Sequence, residues 1–141
     1  MLVDKNEPYR NLTNSVDEYN LGALSFDMNE LCTVRDKIAL SLFYFTDTLS
    51  NTQVEALKLE YDRKQNFAIR KTYWCSQTNE RTGKLYTVAL AEEKARIDNK
   101  EKEDLYVEAY RKALKSKSLH KVVSDLLNSV SSRINNLKTK I

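Results

Sequence analysis

Placed on a helix, Arg63, Phe67, Arg70 and Trp74 fall at steps of four, three and four, so cation and aromatic alternate along one face. Lys64 and Lys71, seven apart, flank that stripe, and Tyr73 adjoins Trp74, the only tryptophan of the chain. Such an arrangement suits single-stranded nucleic acid. Cations follow the phosphates while aromatic faces stack on bases, each stacked base being worth roughly 1–3 kcal/mol whatever its identity. The same spacing has a second reading, in which Phe67 and Trp74 point into a core and Arg63 and Arg70 lay their methylene stems over them.

Other chemistry is poorly provided for. Nucleophilic catalysis needs a Ser, Cys or Thr beside a base, and the single histidine, His120, sits among Leu119, Lys117 and Lys121 with only Asp125 nearby. No Gly-rich phosphate loop is present, so no nucleotide site and no cofactor are expected. Glu92, Glu93, Glu101 and Glu103 stand next to Lys and Arg, as on solvated helix faces, and nothing nominates a catalytic pair. Cys32 and Cys75 are far apart and form no C-x-x-C, which makes a metal site improbable and suggests ordinary small apolar residues in a reducing cytoplasm. We therefore expect a protein that is not an enzyme.

The elements that must position the stripe are helical. With 2 Gly and 1 Pro in 141 residues, turn-rich β folds are disfavoured, and the length suits one ordinary domain. Residues 1–29, rich in Asn, acids and Tyr and without a sustained period, read as an acidic N-terminal arm, irregular or in short helical turns, ahead of a helical domain over 30–141. Leu31, Val34, Ile38, Leu42, Phe45 and Leu49 mark an amphipathic helix. "TDTLSNTQ" at 46–53 holds side chains that compete for backbone hydrogen bonds, and Thr52 with Glu55 has capping-box spacing. A break there makes two helices, and its absence one long one.

The helix bearing the stripe should end at Cys75, before the loop "SQTNERTG", where Gly83 is free to take a left-handed conformation. "TVALAEEKARIDN" reads as a short helix with an Ala-rich face, and Asp98 or Asn99 is placed to cap the final one. In that final helix Leu119, Val123, Leu126, Val130, Ile134, Leu137 and Ile141 form a narrow coiled-coil-like seam that wants a partner helix, from this chain or another copy. The fold expected is all-α, antiparallel helices with a long C-terminal helix used for oligomerisation. The longest apolar run, 38–45, is too short to span a bilayer, and no secretory signal opens the chain.

The net charge of +3 conceals a gradient. The first 36 residues hold seven acids against three bases, whereas from Arg111 onward there are eight bases and one acid, Asp125. Either the two ends pair, or the basic rear meets a polyanion.

The stretch "LKLEYDRKQNFAIRKTYWCS", Leu57 to Ser76, resembles the helix of UvsY-type recombination mediators of tailed phages. That helix has a Leu-basic-aliphatic-Glu start, matched by Leu57, Lys58, Leu59 and Glu60, then a basic pair, matched by Arg63 and Lys64. A K-A-R-like segment follows, in which Ala68 stands where the family has its first cation and Arg70 supplies the second, and Tyr73 and Trp74 match two adjacent aromatics. The loop, short helix and "LLNSVSSRINNLK" downstream also look like that family, whereas residues 1–29 have no alignable counterpart. The resemblance implies a phage-encoded, all-helical homo-oligomer, a ring joined through its C-terminal helices, that binds single-stranded DNA. Such a protein helps load a RecA-like recombinase onto strands covered by single-strand-binding protein, in the bacterial cytoplasm. The alternative expectation is a non-enzymatic structural, scaffold or adaptor protein in which the 63–74 stripe is core or subunit interface.

Overall fold

The computed structural model describes residues 6–22 and 26–139. Four helices follow in order: α1 (Glu7–Gly22), α2 (Met28–Cys75), α3 (Val88–Asp98) and α4 (Lys100–Thr139). Between α2 and α3 a two-residue antiparallel pair, β1 (Thr78–Asn79) with β2 (Lys84–Leu85), is in register Thr78 to Leu85 and Asn79 to Lys84. The all-α expectation holds. No described helix is long and apolar enough to cross a membrane.

The chain divides into two compact units, one formed by residues 1–51 with 114–141 and the other by 52–113. This differs from an arm followed by a single domain. In the first unit α1 packs its Leu12 into a core with Val34, Ile38, Leu42 and Phe45 of α2 and Val123 of α4, with Tyr9, Val16 and Tyr19 half-buried beside them. Tyr9, Leu12, Val16 and Tyr19 are spaced three, four and three, an amphipathic stripe in which aromatic residues take the place of aliphatic ones. The supposed arm is thus a core helix over Glu7–Gly22. Residues 1–5 and 23–25 of it lie outside the described residues, as does Ile141 of the seam.

The C-terminal seam has its partner within the chain. Val130 and Ile134 are fully buried with Leu31, and Val123 joins the Phe45 cluster, while Leu119, Leu126 and Leu137 are half-buried against the same cores. Within the first unit these side chains pack against residues of α1 and α2. The pairing is antiparallel, Leu31 meeting Val130 and Ile134 while Phe45 lies in the cluster of Val123.

Helix α2 starts where Asp27 Oδ1 accepts the Glu30 backbone N–H at 2.8 Å, an N-cap that satisfies one of the free donors of the first turn. It then runs unbroken through 46–53. The Thr46 hydroxyl donates to the Leu42 carbonyl one turn back, so one of the competing side chains is accommodated inside the helix rather than ending it.

Candidate nucleic-acid interface

The second unit builds the site from the C-terminal part of α2, the hairpin, α3 and the start of α4. Helix α2 ends at Cys75, and the hairpin turns at Gly83, whose φ of 66° is a left-handed conformation that suits glycine. Thr87 then caps α3 by accepting the Leu90 N–H, and the fully buried Ala91 and Ala95 let α3 sit close to its neighbours.

Every cation of the predicted stripe meets a carboxylate of the same unit. Arg63 Nη1 donates to both oxygens of Glu103 at 3.1 and 2.9 Å, and its guanidinium lies 4.1 Å above the Tyr106 ring. The Glu103 hydrogen bond holds the Arg63 pKa above its ordinary value. Lys64 reaches Glu60 one turn back at 2.8 Å and is 67% exposed; its hydrogen bond keeps the Glu60 carboxyl below the usual range. Arg70 Nε donates to Asp98 at 2.9 Å, and Lys71 pairs with Glu92 at 3.0 Å. The order of partners, 103, 98 and 92 for 63, 70 and 71, is that of antiparallel segments.

The aromatic half of the stripe gathers at the hairpin end. Trp74 is half-buried, and its indole N–H donates to Asp98 at 2.7 Å. Asp98 thereby accepts from Trp74 and Arg70 together, and these two bonds, the indole's first, hold its carboxyl below the ordinary aspartate range. Tyr73 and Tyr86 each set an edge against Trp74, at 5.2 and 5.5 Å between centroids. Lys94 Nζ lies 4.9 Å from the Trp74 ring and 5.3 Å from that of Tyr86. Tyr73 is 43% exposed, and Arg70 lies over its ring at 4.4 Å. Arg81 and Lys84 on the hairpin are exposed. Phe67 is half-buried on α2, and Ala68 is exposed.

Arg63 and Arg70 do stack their guanidinium groups on aromatic rings, but on those of Tyr106 and Tyr73 rather than of Phe67 and Trp74. Asp98 and Asn99 also depart from their expected role as caps of α4. Asp98 turns to α2, and Asn99, 5% exposed, accepts from Asn66 at 2.7 Å and donates to the Arg63 carbonyl at 3.1 Å. Sequence reasoning missed Tyr86, Lys94, Asp98 and Glu103. The pattern Tyr86-x7-Lys94-x3-Asp98 carries no local signal, since only the hairpin brings it to Trp74.

Chemically the carboxylates occupy the positions that phosphates would take, because a guanidinium or ammonium recognises both in the same way. A nucleic-acid strand on this surface would exchange phosphates for Glu92 and Asp98 at Lys71 and Arg70. An open depression beside the start of α4 is lined by Asp98, Glu101, Asp104 and Glu108, with Lys100 among them. Among the described residues no group of His, Cys, Asp and Glu could hold a metal ion. Compared with known proteins, the chain matches no family model, no curated protein and no solved structure.

Proposed function

We propose that this chain is a UvsY-like phage recombination mediator, a non-enzymatic protein that binds single-stranded DNA and helps load a RecA-like recombinase onto strands covered by single-strand-binding protein. The observation that carries the reading is the aromatic trio of Tyr73, Trp74 and Tyr86, rimmed by Arg70 and Lys94. Aromatic faces among cations give sequence-independent binding. The internal ion pairs fit a mediator as well, since each phosphate contact must displace a carboxylate and the strand is held at moderate strength, ready to be handed over. Several subunits in a homo-oligomer would then multiply weak sites by avidity. Val54, Leu57 and Tyr61, each more than 60% exposed at steps of three and four on α2, offer apolar surface for that association.

The test is titration of the protein with oligo-dT while following Trp74 fluorescence. Quenching that weakens steeply as salt rises is expected. Absence of both quenching and a gel shift at low salt defeats the reading. A second reading, a structural or adaptor subunit, is favoured by the complete pairing of Arg63, Lys64, Arg70 and Lys71 within the chain. In that case reversal of charge at Arg70 and Lys71 changes stability or assembly and leaves any DNA signal as it was.

A further inference from the structure

From Ala109 to Ser124 the chain contains Arg111, Lys112, Lys115, Lys117 and Lys121 and no acid, all of it within α4. In the first unit, Lys115, Lys117 and Lys121 are exposed and make no ion pair among the described residues. The contrast with the 63–74 stripe is electrostatic: there each cation has its carboxylate, here positive charge stands uncompensated. Ser116 and Val123 mark the buried side of this part of α4. At 3.6 residues per turn, Lys117 and Lys121 lie on one side of the outward line and Lys115 on the other, spread over about 160° of the circumference. Leu114, 46% exposed, and Val122, 63% exposed, lie between them.

We propose that this face of α4 is a second contact surface for single-stranded nucleic acid, gripping its backbone through Lys115, Lys117 and Lys121. The inference rests on the reading that the ligand is such a strand. The spread of the lysines selects it over an acidic protein helix: a rigid helix meets a strip one seam wide, whereas a flexible strand can wrap the whole arc. Between Lys115 and Lys121 there is no Phe, Tyr or Trp, so these lysines contribute charge without stacking, and their share of the affinity is the salt-sensitive share.

The experiment measures binding of fluorescently labelled oligo-dT by anisotropy across a salt series, for the full chain and for a variant combining Lys115→Gln, Lys117→Gln and Lys121→Gln. A helical circular dichroism signal equal to that of the unaltered chain establishes that the variant is folded. Three lost phosphate contacts should flatten the slope of log K against log salt by about 2, at about 0.7 per contact on a single strand. Quenching of Trp74 by saturating oligo-dT should persist. A variant with an unchanged slope overturns the α4 surface and leaves the mediator reading standing. No binding by the unaltered chain at low salt overturns both. Capture of poly-glutamate by the unaltered chain in preference to oligo-dT, lost in the variant, overturns the nucleic-acid assignment in favour of an acidic protein.

Discussion

Asp98 ties the aromatic and the cationic halves of the stripe together, because one carboxylate receives both the Trp74 indole and the Arg70 guanidinium. Its pKa is depressed in the folded chain, so its contribution to stability is complete above the ordinary aspartate value of about 4 and is lost as the pH falls through the lower folded value. The Tm difference between the unaltered chain and Asp98→Asn should therefore be steady from neutral pH down to about 5 and close at lower pH. Thermal melts followed by Trp74 emission read this directly, and a difference that widens in acid contradicts it. Of this residue-scale chemistry, the positions of Arg63, Phe67, Arg70 and Trp74 on one face were legible, because helical spacing is a local property. Their partners were not: Glu103 is 40 residues from Arg63 and Asp98 is 28 from Arg70. Only the hairpin and the antiparallel return of the chain select them from the many other acids.

At the scale of elements, the period of Leu31 to Leu49 announces a buried face of α2, and the Ala-rich face of α3 is buried as its composition suggests. Helix α1 was hidden because Tyr at two of its four packing positions weakens an apolar signal that its spacing still carries. The C-terminal seam was read correctly as a surface needing a partner, but no local pattern tells a partner in the same chain from one in another copy. This has a measurable consequence at Ile134, fully buried with Leu31 and Val130. Ile134→Ala should destabilise the folded chain by about 2–5 kcal/mol through lost burial and the cavity left behind. Denaturant unfolding gives the loss, and sedimentation of the folded variant should give the same mass as the unaltered chain. A lower mass at full stability would return the seam to intersubunit packing.

For the whole molecule, the acidic front and the part of the basic rear from Lys115 onward belong to the same unit. Glu18 pairs with Lys37 and Asp36 with Arg35, all four from the N-terminal stretch, which leaves Lys115, Lys117 and Lys121 uncompensated. Association, if it follows the apolar residues that remain exposed, uses the outward side of α2. Leu57→Glu should reduce the sedimenting mass at a given concentration while altering stability by no more than about 0.5 kcal/mol, since the side chain is 66% exposed. An unchanged mass would exclude Leu57 from the contact. One consequence follows from the way α2 crosses its polar middle. Between Phe45 and Ala56 no side chain of the helix is fully buried, Leu49 resting half-buried on the Phe45 cluster, and Thr46 diverts a hydroxyl to its own backbone. Backbone hydrogen bonds there have less of the packing that slows their opening. Amide protons of residues 46–53 should exchange with deuterium faster than those of 34–45, where Val34, Ile38, Leu42 and Phe45 are buried. The interruption that these side chains suggest is then expressed as a local opening rate within an intact helix, and equally slow exchange across the two segments would refute it.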